Sequence, residues 1–263
     1  MAYFTQQDHD SLLNTGVNSV ESDAARQLAF DKLDELHHAL RNRFRGHNYD
    51  LHAVNPSNAV LFNGSVAGCS AKSLVLTYMR SREQAQVVER MMGRDRHALR
   101  SDIQVTRHPV IELRLTPDHF SVELLVSPEA WLDQQNLIAK LGIQRHRETF
   151  RGILQRMDGD FRLGFWDGCE LSDMHLTTRQ LSRGNNLQEW MSTFCDGQDW
   201  LRVGVWYTPE ADALDTGLIL RELVERVGAL YEVYTFLLWT SNNDFLSFYG
   251  KTLAPRTAYA RLA

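Results

Sequence analysis

Two short stretches of the chain share one order of residue types, and that order suits the binding of a flat anion. "FRLGFW" begins at Phe161 and "LRVGVW" begins at Leu201; each reads apolar, Arg, apolar, Gly, apolar, Trp. Guanidinium groups bind phosphates and carboxylates, and indole rings stack on bases. The residues predicted to bind such a ligand, a nucleotide or a short nucleic-acid segment, are Arg162, Trp166, Arg202 and Trp206.

The alternation of the two stretches predicts β-strands that place these side chains on one face. In a strand, successive side chains point to opposite sides, so the intervening apolar residues would face a core. A glycine inside a strand often marks the close approach of a ligand or of another backbone. A structural interpretation stays open beside the binding one, in which each Trp covers a Gly or an Arg stem and a helix covers both.

The stretch "HPVIELRLTPDHFSVELLV" predicts a β-hairpin with one buried face. Apolar residues alternate with polar ones on both sides of "TPDH", a turn sequence with Pro at its second position. Pairing Leu115 with Phe120 would place Glu112 opposite Glu123, and like charges in that position are unfavourable unless they are offset. Arg114, diagonal to Glu123, could offset them and is a further candidate for ligand binding.

The same hairpin permits a catalytic interpretation. Two carboxylates on adjacent strands are a pattern that divalent-metal hydrolases and nucleases use. The candidate catalytic residues are Glu112 and Glu123, together with His108 at the entry to the first strand. The favoured interpretation of the pair is an exposed sheet face bridged by Arg114.

A loop after the first Arg/Trp stretch carries the residues that could hold a metal ion. "DGCELSDMH" contains carboxylate and imidazole ligands at loop spacing, and the candidates are Asp167, Glu170, Asp173 and His175. Turns and helix starts use the same residue types, so a structural role is the favoured interpretation.

The elements that must position these residues indicate an α+β fold. Helical spacing predicts several helices, among them a long C-terminal helix over about residues 216–240 with one apolar stripe. The hairpin favours a mainly antiparallel sheet with the hairpin at its centre. We expect a flexible N-terminal arm over residues 1–20 and a single α+β domain over residues 21–263.

Composition limits the classes of protein that the chain can belong to. The formal net charge of −5 is not that of a general binder of phosphate backbones, although a local basic patch remains possible. The three cysteines are widely spaced and predict reduced thiols, hence a cytoplasmic location. The N-terminus lacks the pattern of a signal peptide, and no stretch is suited to spanning a membrane.

Three functional classes follow from the sequence. The first is an intracellular binding protein with an Arg/Trp-lined sheet face. The others are a divalent-metal hydrolase and a protein-interaction module that docks a partner through the same face or through the aromatic C-terminal tail. The sequence identifies no cofactor, partner or oligomeric state.

Overall fold

An eight-stranded antiparallel sheet organises the computed structural model, which describes residues 1–13, 20–68, 72–93 and 103–246. The strand order is β1-β3-β4-β5-β8-β6-β7, and β2 also pairs with β3. The strands are β1 His52–Ala53, β2 Val60–Phe62, β3 Leu74–Met79, β4 Val110–Leu115, β5 Phe120–Val126, β6 Arg162–Gly164, β7 Leu176–Thr177 and β8 Leu201–Tyr207.

One face of the sheet is covered by helices and forms the main hydrophobic core. The helices are α1 Gln6–Asp10, α2 Val20–Gly46, α3 Arg82–Met91, α4 Trp131–Leu141, α5 Gln144–Arg156, α6 Thr178–Leu181, α7 Asn186–Ser192 and α8 Ile219–Leu237. Helix α8 packs on β5 and β8 through a buried stripe that includes Leu223, Val227 and Leu230. The α+β fold with a long C-terminal helix is therefore confirmed.

The predicted hairpin is formed by β4 and β5, in the predicted register. Leu115 pairs with Phe120 and Glu112 pairs with Glu123. The expectation of one buried face is wrong, since every residue of both strands is buried. The other helices cover the apolar face, whereas loops and α3 cover the face that carries the charged residues. We call this second face the polar face.

The N-terminal residues pack against the domain, in contrast to the flexible arm expected over residues 1–20. Phe4 is buried and stacks on Phe120, with ring centroids 5.3 Å apart. The Nδ1 atom of buried His9 lies 2.7 Å from the backbone oxygen of Thr116, at the turn of the hairpin. Apolar and aromatic residues within a polar stretch therefore anchor residues 1–13, while residues 14–19 lie outside the described part of the chain.

The described residues contain no helix with both the length and the apolar character needed to cross a membrane.

Candidate functional site: a buried ion network and an adjoining cavity

The two Arg/Trp stretches contain neighbouring strands that pair reciprocally, but β6 ends at Gly164, so Trp166 lies in the loop after it and not in the predicted strand. In the antiparallel ladder of β6 and β8, Arg162 lies opposite Gly204 and Gly164 lies opposite Arg202. Each arginine therefore extends over the polar face from a position whose partner has no side chain. The shared order of residue types has this geometric consequence whether or not a ligand binds.

Each glycine gives room to a different side chain. A Cβ atom on Gly164 would lie 2.5 Å from Cζ3 of Trp166, so this indole lies directly over the glycine. A Cβ atom on Gly204 would lie 2.6 Å from Cγ of Glu123, so any side chain at position 204 would overlap the glutamate. The guanidinium carbon of Arg202 lies 5.0 Å from the ring centroid of Trp166, which covers it as the structural interpretation predicts.

Four charged side chains at the centre of the polar face form an ion network with no solvent exposure. The network consists of Arg114, Arg202, Glu112 and Glu123. Glu123 accepts from Nη2 of Arg114 at one oxygen and from Nη2 of Arg202 at the other. Nη1 of Arg114 also lies 3.4 Å from Oε2 of Glu112, so Arg114 joins the two carboxylates.

Two loops from distant parts of the chain cover this network. On one side, the hydroxyl of Ser65 and the backbone N–H of Val66 donate to Glu112, each at 2.8 Å. On the other side, Arg114 donates to the backbone oxygen of Cys169 at 3.0 Å, and Arg202 donates to that of Gly168. All four carboxylate oxygens thus accept hydrogen bonds from donors within the protein.

Burial affects the two glutamates differently. Burial raises the pKa of Glu112 above its ordinary value, and one arginine only partly opposes this effect. Burial also acts to raise the pKa of Glu123, but the charges of Arg114 and Arg202 outweigh it and hold that pKa below its ordinary value. Glu123 is therefore the anion on which the two buried arginines depend. The charged form of Glu112 is less stabilised by the network than that of Glu123.

The catalytic candidates do not form an open catalytic site. Glu112 and Glu123 are enclosed in the network, and fully buried His108 has its Nε2 atom 3.5 Å from Oε1 of Glu89 in α3. His119, which the sequence did not single out, lies at the turn of the hairpin with its Nδ1 atom 3.8 Å from Glu170. Burial and Arg114 lower the pKa of His119 to about 4, so it is neutral at pH 7.

The metal candidates are not brought together. His175 lies 2.7 Å from the backbone oxygen of Ser172 through its Nδ1 atom, and Glu170 is directed to His119. Asp167 and Asp173 are exposed on the same loop. Within residues 1–13, 20–68, 72–93 and 103–246, no group of three or more His, Cys, Asp or Glu side chains is placed to hold a metal ion.

A cysteine of the covering loop is oxidised. Cys169 is disulfide-bonded, whereas Cys195 is free and exposed; the third cysteine of the chain, Cys69, lies outside the described residues. The expectation of three reduced thiols is therefore wrong.

A large cavity adjoins the network on the polar face. Its volume is about 760 Å³, within the range of about 300–1,000 Å³ that is usual for small-molecule sites. We call it the main cavity. Ser65 and Val66 line it, so the loop that binds Glu112 also forms part of the cavity wall. The apolar side chains that line it are Ala53, Val54, Pro56, Leu61, Val66, Met79, Ile103 and Val105.

Polar groups lie at the rim and floor of the main cavity. His52, Arg82 and Glu83 line it and are exposed, so the cavity reaches solvent. Thr77 and Arg80 line it and are buried. The sequence analysis did not identify this cavity because β1 and β2, which carry part of its lining, are only two and three residues long and show no clear alternation.

Gly204 gives the first test of the packing beneath the network. We expect Gly204→Ala to lower the free energy of unfolding by about 1–3 kcal/mol, because the new methyl group would overlap Glu123 and the oxygen of Val122. Gly217→Ala is the matched control, with nothing within 4 Å of its Cβ position. Urea denaturation followed by circular dichroism measures both, and an equal effect of the two substitutions would contradict the packing.

The two glutamates give the second test. We expect Glu123→Gln to cost about 3–5 kcal/mol, because it leaves two buried guanidinium groups without their shared anion. Glu112→Gln should cost less, because burial already disfavours the charged form of Glu112. Denaturant titration at neutral pH compares the two, and a larger cost for Glu112→Gln would disprove the ranking.

The effect of pH on stability follows from the lowered pKa of Glu123. Because the pKa of Glu123 is held below its ordinary value of 4.5, its contribution to stability is complete above that pH and is lost as the pH falls through its folded-state value. The stability gap between wild type and Glu123→Gln should therefore shrink in acid. Repeating the denaturant titrations across the acid range measures this gap, and a gap that widens would be inconsistent with the network.

The state of the cysteines gives a further test. We expect the denatured, unreduced protein to expose one titratable thiol, that of Cys195, and the reduced protein to expose all three. A thiol-reactive dye with absorbance detection counts them. Three reactive thiols before reduction would show that Cys169 is not oxidised.

Comparison with known proteins does not assign the chain to a family. No protein-family model matches it, and no curated protein matches it either. The function is therefore inferred from the geometry of the polar face and its cavity.

Proposed function

We propose that the protein binds a small, largely apolar molecule with at least one hydrogen-bonding group in the main cavity. The observation that carries this proposal is a cavity of about 760 Å³ whose wall surface is mostly apolar, although about half of its lining residues carry polar groups. Small-molecule sites usually combine an apolar lining with a few polar groups that orient the ligand.

The position of the cavity wall supports this proposal. Ser65 and Val66 are fixed by their hydrogen bonds to buried Glu112, which also meets Arg114. A wall that is held before the ligand arrives loses little conformational entropy on binding. The ion network thus has a role in the proposed function without contacting the ligand.

Filling the cavity tests the proposal. We expect Val105→Trp, and independently Val54→Trp, to weaken the binding of the neutral apolar dye Nile red by about tenfold or more, because the indole would occupy the ligand's space. Val87→Trp is the control, because Val87 is exposed on α3 and does not line the cavity. Fluorescence titration measures the affinity, and thermal melting confirms that the variants fold.

Two results would contradict the proposal. One is Nile red binding that both cavity variants leave unchanged. The other is an equal loss of binding in Val87→Trp, which would show that the dye binds the surface.

A nucleotide or short nucleic-acid segment on the Arg/Trp face is a second candidate, now limited to its outer part. Trp166 and Trp206 are half-buried, with ring centroids 6.0 Å apart and ring planes tilted by 41°, so a flat ligand would stack on the outer side of one ring and not between them. Arg114 and Arg202 are enclosed in the network, so Arg162 would supply the charge alone. Arg162→Ala is the informative variant, because removing Arg202 would also disrupt the fold.

The remaining classes have less support. A divalent-metal hydrolase would need Glu112 and Glu123 to release their hydrogen-bond donors, and we do not propose it. A protein partner for the outer Arg/Trp face stays an alternative that a pulldown experiment would test.

A further inference from the structure

A second cavity lies across the edge of the sheet from the main one. Its volume is about 210 Å³, and it shares His52, Ala53 and Pro56 with the main cavity. Tyr78 lines the second cavity, whereas its neighbours in β3, Thr77 and Met79, line the main one. Because side chains alternate along a strand, the two cavities lie on opposite faces of β3.

Two arginines of α2 give the second cavity an excess of positive charge. Arg41 and Arg45 line it one helical turn apart, and both are exposed. Neither forms an ion pair with any residue that the structure describes. The acidic residue of the lining, Asp50, is already bound, by Nε2 of His52 at 2.7 Å and by Nε2 of Gln84 at 2.8 Å.

The helix dipole alone does not explain this pair of arginines. Basic residues near the C-terminus of a helix are favoured by its partial negative charge, and Arg43 and Arg45 lie in the last turn of α2. Arg43 does not line the cavity, whereas Arg41, one turn before Arg45, does. The charge is therefore arranged around the cavity as well as along the helix axis.

Aromatic rings form the walls beneath these charges. Phe44, Tyr49 and Tyr78 line the cavity, and the ring centroids of Phe44 and Tyr78 are 5.2 Å apart in an edge-to-face arrangement. His37 is buried in the lining with its Nδ1 atom 2.9 Å from the hydroxyl of Tyr78. Burial, together with the charges of His38 and Arg41, lowers the pKa of His37, so at neutral pH it is uncharged.

We propose that the second cavity binds a small planar anion, namely an aromatic carboxylate, with its carboxylate on Arg41 and Arg45 and its ring against the aromatic wall. A guanidinium matches a carboxylate in a two-point arrangement, and an aromatic wall favours a flat ring over a compact ion. This site is separate from the main cavity and does not depend on the function proposed for it.

Isothermal titration with benzoate tests this site. We expect benzoate to bind, and Arg41→Ala with Arg45→Ala to weaken its binding by about tenfold or more, equivalent to about 1.4 kcal/mol. Arg43→Ala, on the same helix but outside the cavity, should leave the affinity unchanged. Val105→Trp, which fills the main cavity, should also leave it unchanged, so the two sites can fail independently.

Four results would overturn the proposal. The first is no measurable binding of benzoate. The second is equal binding of benzamidine, its cationic analogue, which would remove the role of charge. The third is equal binding of inorganic phosphate, which would remove the role of the ring, and the fourth is an equal loss of binding in Arg43→Ala.

Discussion

The pairing of one buried carboxylate with two buried guanidinium groups is the constraint on which the polar face depends. Taking an ion out of water costs several kcal/mol, and the cost is offset only if every charge meets a partner in good geometry. Glu123 supplies that partner for Arg114 and Arg202 at the same time. Gly204 must lack a side chain to admit it, and backbone oxygens of the covering loop each accept one further N–H group from Arg114 and Arg202. Among the described residues, the buried Nε atoms of both arginines have no hydrogen-bond partner.

This constraint connects the sheet to the main cavity. Glu112 pairs with Glu123 across the hairpin and holds the loop at Ser65 and Val66, which in turn forms part of the cavity wall. The charged side chains that the sequence analysis selected as catalytic or ligand-binding candidates thus serve to hold other parts of the structure in place. They fix a surface that a ligand can contact, and they are themselves screened from it.

Much of the fold could be predicted from the sequence because its signals are local. The turn at "TPDH" and the alternation on both sides set the register of β4 and β5. The stripe of α8 set its buried face. The burial of the charged row could not be predicted, because its cover comes from far along the chain: Ser65 lies 47 residues before Glu112, and Cys169 lies 55 residues after Arg114.

The candidate site was hard to predict for the same reason, because it too depends on contacts between distant parts of the chain. The repeated Arg, Gly and Trp marked two strands, which the fold places side by side, but alternation cannot distinguish a face open to a ligand from one closed by a loop. The cavities were not predicted because residues from short strands, turns and helix ends line them. Such residues carry no periodic signal, and only the folded chain brings them together.

The central claim is that Arg114 and Arg202 of the polar face are buried. Chemical labelling of arginine side chains tests this claim most directly. Native protein would be treated with phenylglyoxal, and each modified peptide would be quantified by mass spectrometry. We expect exposed Arg43 and half-buried Arg162 to react while Arg114 and Arg202 stay unmodified until the protein is denatured. Modification of Arg202 in the native protein at the rate of Arg43 would contradict the account and would restore the open Arg/Trp face.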